Sequence, residues 1–274
     1  MKESQTKEIK LLGQTKEIKL LEKRFTELSR LAYQRDIITY SDFLNLSEQN
    51  ILHTLPKDTL YSRYVSFGGY DLAERQMAAF IPDALYLRCG KNQLAPEEIG
   101  YPFRAVKIAP LHRRFAEELT HRDYLGAILN LGIERSRIGD ILPMNGDALV
   151  FVHDDMAGFI MDQLVRVRHT SVTVSEVPLG DVHYTPAFEE IKGTVASVRL
   201  DSLLPLAFSS SRSRLSGLIE GAKVYVNGRL ITSNGYQVQD EDVISVRGMG
   251  KFRYKGAVSR TKKNRTYVVI HKYI

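Results

Sequence analysis

The net positive charge of this 274-residue chain resides in its last 82 residues. Gly193 to Ile274 hold 14 Lys and Arg against 5 acids, a balance of +9. The whole chain has 38 bases and 32 acids, so residues 1–192 keep 24 and 27, or −3. The net +6 therefore joins two bodies of opposite sign. Such asymmetry separates a segment that meets a polyanion from a more ordinary globular part. Nucleic acid and an anionic membrane both qualify as that polyanion. No run approaches the ~18 apolar residues of a membrane span. The N-terminus has Lys2 but neither an apolar core nor a small-residue cleavage site, so no signal peptide is expected. The single cysteine, Cys89, cannot form an intrachain disulfide, which fits a reducing cytoplasm. Its strand-like setting makes it a packed thiol rather than a nucleophile.

Hydrophobic spacing organises the acidic part. Gln5–Leu12 and Gln14–Leu21 are identical octapeptides, QTKEIKLL, in a helix-favouring composition that continues to about Tyr33. Ser41-Asp42 is expected to cap a short helix ending at Leu46. Arg63–Phe67, Ala84–Cys89, Phe103–Ala109, Ala148–Val152 and Ser171–Val177 read as strands. Leu72–Phe80, capped by Asp71, the segment after Thr120 and Asp155–Leu164 read as helices. Thr120 and Asp123 resemble a capping box, and Gly132 closes that helix. From Arg63 to Val152 the order is β-α-β-β-α-β, the split pattern of ferredoxin-like folds. The expected class is α+β, with an N-terminal helical region (1–60), a central ferredoxin-like, RNA-recognition-like domain (61–177), a Pro- and Gly-bearing linker (178–193) and a basic domain (194–274).

The basic domain carries the chemistry. One of Ser209–Ser211 can cap a helix starting at Arg212 or Ser213, with Leu215, Leu218, Ile219 and Ala222 on its apolar face and Gly221 as a left-handed stop. Val224–Val226, Asn227-Gly228 and Arg229–Thr232 spell a hairpin with a type I′ turn. Free N–H groups at a serine-capped helix start, flanked by Arg212 and Arg214, make an anion site. The order Arg199-Leu200-Asp201, Ser211-Arg212-Ser213-Arg214, Leu218-Ile219-x-Gly221, Val224-x-Val226-Asn227-Gly228 and Val246-Arg247-Gly248-x-Gly250-Lys251 resembles the S-four domain, or alpha-L RNA-binding motif. Glu241-Asp242 departs from that family's Gly-Asp, which predicts a turn that is more strained or differently shaped. The resemblance implies RNA contact at Arg199, Arg212 and Arg214. With the residues around them, the expected RNA-binding set is Arg199, Ser211, Arg212, Ser213, Arg214, Lys223, Asn227, Arg229, Arg247 and Lys251. A basic tail, Lys251–Arg265, adds seven bases and no acid.

Phe67–Arg75 (FGGYDLAER), His121–Ile133 (HRDYLGAILNLGI) and Arg137–Ile141 (RIGDI) are similar to the bacterial YlmH family over about Phe43 to Ile274. That resemblance implies a central RNA-recognition-like domain before the alpha-L module. It also implies links to cell division and to quality control on large ribosomal subunits carrying stalled peptidyl-tRNA. The partners it implies are structured RNA (rRNA and tRNA) and the large subunit, in the cytoplasm, with division proteins as an alternative. His121, Arg122, Arg113 and Arg114 are candidates for accessory RNA contact.

Catalysis finds little support. His121-Arg122-Asp123 resembles a kinase catalytic loop, but Ile128 stands where the metal-binding Asn belongs. His153 with Asp154-Asp155 lacks further ligands at metal spacing, so neither metal nor cofactor is expected. A non-catalytic RNA-binding protein is the expectation, with an RNA-modifying enzyme as a further alternative. If six to ten phosphates are contacted, affinity is expected to fall roughly 10³–10⁵-fold between 50 and 200 mM salt, and a flat salt titration contradicts the reading.

Overall fold

The computed structural model describes residues 2–88, 99–182, 184–261 and 264–274. Cys89 and its expected packing lie outside them. Two compact units result, Met1–His183 and Tyr184–Ile274. No described helix is long and apolar enough to cross a membrane.

Helix α1 (Lys2–Arg35) runs through Gly13 and both octapeptides. Its Phe25, Leu28 and Ala32 are buried against Leu44, Leu52, Ala78 and Phe80. The helix expected after Ser41-Asp42 is instead strand β1 (Thr39–Leu44). The cap is Asn45: its side chain accepts from the N–H groups of Ser47 and Glu48, and Glu48 accepts the Asn45 N–H at 2.7 Å. This closed capping box starts α2 (Leu46–Thr54). Ser41 is occupied elsewhere, accepting the Ala78 N–H across the sheet.

Two further readings are reversed. Gln76–Ile81, expected within a helix, is strand β3, and the strand expected at 84–89 is helix α3 (Asp83–Arg88). β3 lies between β1 and β2 (Arg63–Phe67), and Met77 to Ile81 are all fully buried. A central strand covered on both faces becomes one continuous apolar run, which periodicity cannot separate from a buried helix.

The split pattern is present, but its frame is shifted. It comprises β4 (Phe103–Pro110), α4 (His121–Leu129), β5 (Ile138–Met144), β6 (Asp147–His153), α5 (Asp154–Gln163) and β8 (Thr170–Val177), with β7 (Arg166–Val167) as an added edge. The sheet order β5-β6-β4-β8-β7 is antiparallel throughout. This is a ferredoxin-like arrangement over 103–177 rather than 63–152. β2 and β3 belong to the separate sheet with β1. Thr120 and Asp123 close the expected box, Asp123 accepting the Thr120 N–H at 2.8 Å.

One carboxylate clasps the two sheets of this unit together. Asp140 accepts from the Tyr70 hydroxyl (2.8 Å) and from the N–H groups of Glu74 (2.7 Å) and Arg75 (3.0 Å). Arg75 donates in turn to the carbonyls of Ile138, Phe43 and Arg135. Arg135 lies beside it, and burial, then the Arg75 charge, pulls its guanidinium down to about 10. The glycines of the loop make the approach possible. A Cβ on Gly68 would sit 2.3 Å from the Arg75 carbonyl, and one on Gly69 (φ +97°) 2.1 Å from the Phe151 ring.

In the second unit, α6 (Leu200–Phe208) and α7 (Arg212–Glu220) cover one face of a six-stranded sheet. The sheet order is β11-β10-β12-β13-β14-β9, from β9 (Phe188–Val195), β10 (Val224–Val226), β11 (Arg229–Leu230), β12 (Val243–Val246), β13 (Gly250–Arg260) and β14 (Thr266–Tyr273). The last six residues of the expected linker, 188–193, are therefore strand, because β9 pairs with β14 along its whole length. The expected basic tail is the β13–β14 hairpin; Lys262 and Lys263 lie outside the described residues. β9 is a mostly exposed edge strand with weak alternation, which hid it. Ser211 caps α7 as expected, accepting the Arg214 N–H. The left-handed residue after α7 is Ala222 (φ +56°), not Gly221 (φ −78°). Asn227 and Gly228 both take positive φ, as the type I′ turn requires. Glu241 takes φ +68° where glycine is easier, the strain its sequence predicts.

Gly69→Ala is expected to destabilise the chain by about 2–4 kcal/mol, from overpacking and the left-handed backbone together. Gly180→Ala, whose added Cβ meets no atom within 4 Å, is the control, with an effect below about 0.5 kcal/mol. Urea midpoints compare the two.

Candidate nucleic-acid interface

The N-terminal turns of α6 and α7 meet at a buried carboxylate, Asp201. Arg199 donates to it through Nε (3.2 Å) and Nη2 (3.0 Å), and Arg212 donates through Nη2. Burial works to raise the Asp201 pKa, but the two guanidinium groups outweigh it and hold the carboxyl low. It is therefore ionised at neutral pH and fixes both forks. Arg199 and Arg212 remain 38% and 59% exposed, so their other N–H donors still face solvent. Arg214 is exposed as well. Ser211 and Ser213 lie within 3.4 Å of each other at the same helix start.

The remaining expected residues separate from this cluster. Lys223 follows the far end of α7, and its carbonyl accepts the Arg247 N–H at 2.9 Å. Lys251 stands nearby, paired with Ser245 of β12. α7 is nine residues long, so the two basic groups lie about 13 Å apart along it. Asn227 is a turn residue: its amide donates to Asp242 (2.7 Å) and its carbonyl accepts the Val243 N–H (2.9 Å). Arg229 is exposed at the hairpin edge. On β13, Arg253 and Lys255 pair with Glu241, at 3.6 and 2.5 Å.

The first unit differs from a base-stacking sheet. RNA-recognition sheets stack bases on aromatics of their open face. Here that face carries Phe103 and Phe151, and both are covered. Phe43 of β1 lies 5.3 Å and Phe67 of β2 6.1 Å from Phe103, centroid to centroid. Tyr70 stacks on Phe151 at 5.7 Å. Only a strip with Lys107, Thr173 and Ser175 stays exposed there.

The accessory candidates scatter. Arg113 donates through Nη2 to both oxygens of the buried Asp147 (2.9 and 2.8 Å), and Lys107 shares that partner at 3.0 Å. Arg114 lies 6.0 Å from the exposed Phe115 ring. Partial burial, then the charge of Arg135, lowers the His121 pKa, so this ring is a neutral hydrogen-bonding group at neutral pH. Arg122 lines a cleft of about 520 Å³ with Asp123, Asn130, Gln163, Arg166 and Arg168. Spacing did not reveal the last four of these residues as a group, because Asn130 lies more than 30 residues before the stretch that holds Gln163, Arg166 and Arg168. Among the described residues, no cluster of His, Cys, Asp and Glu has a metal-binding arrangement.

Comparison with known proteins matches both units. Residues 96–181 match the family described as the putative RNA-binding domain in YlmH, and residues 198–244 match the S4 domain. The chain is 28% identical over 250 residues to "Ribosome-associated protein quality control protein P2" of Bacillus subtilis (strain 168), covering 90% of this chain and 91% of that protein. It is also similar to the solved structure of "Cell division protein ylmH from Streptococcus pneumoniae". That similarity has 23% identity and a TM-score of 0.46, over 60% of this chain and 93% of the other.

Asp201→Asn is expected to destabilise the chain by about 1–3 kcal/mol, through loss of charge-assisted bonds. The Asp201 pKa is depressed in the fold. Its contribution is therefore complete above the unfolded carboxylate pKa, about 3.9, and disappears as pH falls through the lower folded value. Melting curves between about pH 2 and 7 are expected to converge for wild type and variant at the acid end.

Proposed function

We propose that the chain, whose residues 96–181 match the putative RNA-binding domain in YlmH and 198–244 the S4 domain, binds RNA on the large ribosomal subunit. In this reading it contacts rRNA and tRNA there without catalysing a reaction. It acts in quality control, holding peptidyl-tRNA on a stalled subunit. One observation carries the proposal: likeness over nine-tenths of the chain to a relative named for ribosome-associated quality control. The geometry supports it. Two basic groups on one helix, one of them pre-oriented by Asp201, suit the phosphates of a folded RNA better than base edges. Guanidinium forks held in place lose less entropy on binding than free side chains. A cytoplasmic setting is part of the same proposal.

Co-sedimentation of the full chain with purified large subunits tests this. Arg214→Ala/Lys223→Ala removes one base from each end of α7 and leaves Asp201 its partners. The double variant is expected to pellet at least about tenfold less at 100 mM salt, two phosphate contacts being lost. Undiminished pelleting by this variant refutes the assigned site. A wild-type chain that stays in the supernatant refutes the ribosomal reading.

A further inference from the structure

We propose that the cleft between α4 and the β7–β8 hairpin is a second RNA site, gripping a phosphate of the bound strand. The proposal rests on the RNA-binding reading above and adds a location in the first unit. Arg122, Arg166 and Arg168 reach the cleft from a helix, an edge strand and a hairpin turn, and the amides of Asn130 and Gln163 join them. The one acid in the lining is Asp123. It already accepts from the Thr120 N–H and hydroxyl (2.8 and 2.7 Å) and pairs with Arg168 at 3.5 Å. Three guanidinium groups against one carboxylate leave the lining at +2. This surplus sits in a stretch of chain, residues 1–192, whose own balance is −3.

The turn that carries Arg168 adds an independent observation. Val167 pairs with Thr170, so Arg168-His169 is a two-residue hairpin loop. Arg168 takes φ +52° there, a backbone that glycine or asparagine adopts more easily than arginine. Strained backbone of this kind clusters where side chains are held for ligands. The lining also includes Ala127 and Leu164, apolar surface against which a ribose or base can lie. The usual alternative for such a domain is closed, since Phe103 and Phe151 are covered.

Full-length protein is titrated into fluorescein-labelled bulk tRNA and, separately, into large subunits, across a salt series. Arg122→Ala/Arg166→Ala/Arg168→Ala is expected to weaken binding to at least one of them by about tenfold or more. The slope of log K against log salt should fall by about two to three. Arg168→Gly separates charge from folding: its melting temperature is expected to hold or rise while affinity falls about threefold. Wild-type affinity and slope in the triple variant overturn the cleft proposal. If Arg214→Ala/Lys223→Ala still binds weakly in that case, the RNA-binding reading stands without it. A wild-type chain that binds neither probe removes both.

Discussion

An antiparallel sheet of the split β-α-β type carries its helices on one face, and the cover given to the other face governs how the domain acts. In this chain the cover is protein. The loop Phe67–Arg75 folds onto Asp140, whose carboxylate collects three donors, while Tyr70, Phe43 and Phe67 lie over the sheet aromatics. Removing that cover would expose a patch of aromatic rings, so the clasp and the rings stabilise each other. Stacking of bases on this sheet is lost as a mode of recognition. What remains is charge at the periphery.

The second unit solves the opposite problem. It must hold many like charges on a small body, and it does so by setting acids among them, Asp201 buried and Glu241 at the surface. Asp201 and Glu241 each take two bases. Pairing leaves the net charge unaltered but turns flexible cations into fixed ones. The Asp201 pair shows the distinction most clearly, because a buried carboxylate needs both partners and in return sets their direction. A base at the same surface without such an anchor, like Arg214, supplies attraction with less geometric definition.

The legible and illegible parts of the chain divide along physical lines. Ser211, Asn227-Gly228 and the Thr120–Asp123 box were readable because each fixes its structure within four residues. Glu241, in the turn before β12, was readable as a departure from glycine and takes positive φ. Gln76–Ile81 was not, because burial on both faces erased its alternation. Phe188–Val195 failed for the reverse reason, being an exposed edge whose partner lies more than 70 residues away. The ferredoxin-like order was recognisable, yet a run of misassigned elements moved its frame by about 40 residues. Arg199, Arg212 and Arg214 were expected to contact RNA, but the carboxylate that Arg199 and Arg212 share required the contact between two helices. Arg166 and Arg168 carried no local signal at all.

The charge asymmetry that separates the two units also orders their roles. The +9 of residues 193–274 acts over the distance that salt permits, about 8–10 Å beyond the surface at physiological strength, and draws any polyanion. Attraction of that kind is indifferent to sequence and nearly indifferent to shape. The +2 cleft belongs to residues 1–192, whose own balance is −3, so its pull weakens at longer range and is felt most by a phosphate that has already entered. In the reading proposed above, capture belongs to the S4 domain and discrimination to the cleft. A chain with only the first would bind every structured RNA with comparable strength. Linking a second, short-ranged site on the same chain raises affinity for those RNAs that present a phosphate to both, because the second contact forms at a high effective concentration. Specificity then comes from the spacing of two phosphates on a folded RNA rather than from any base, consistent with a sheet whose base-stacking face has been closed.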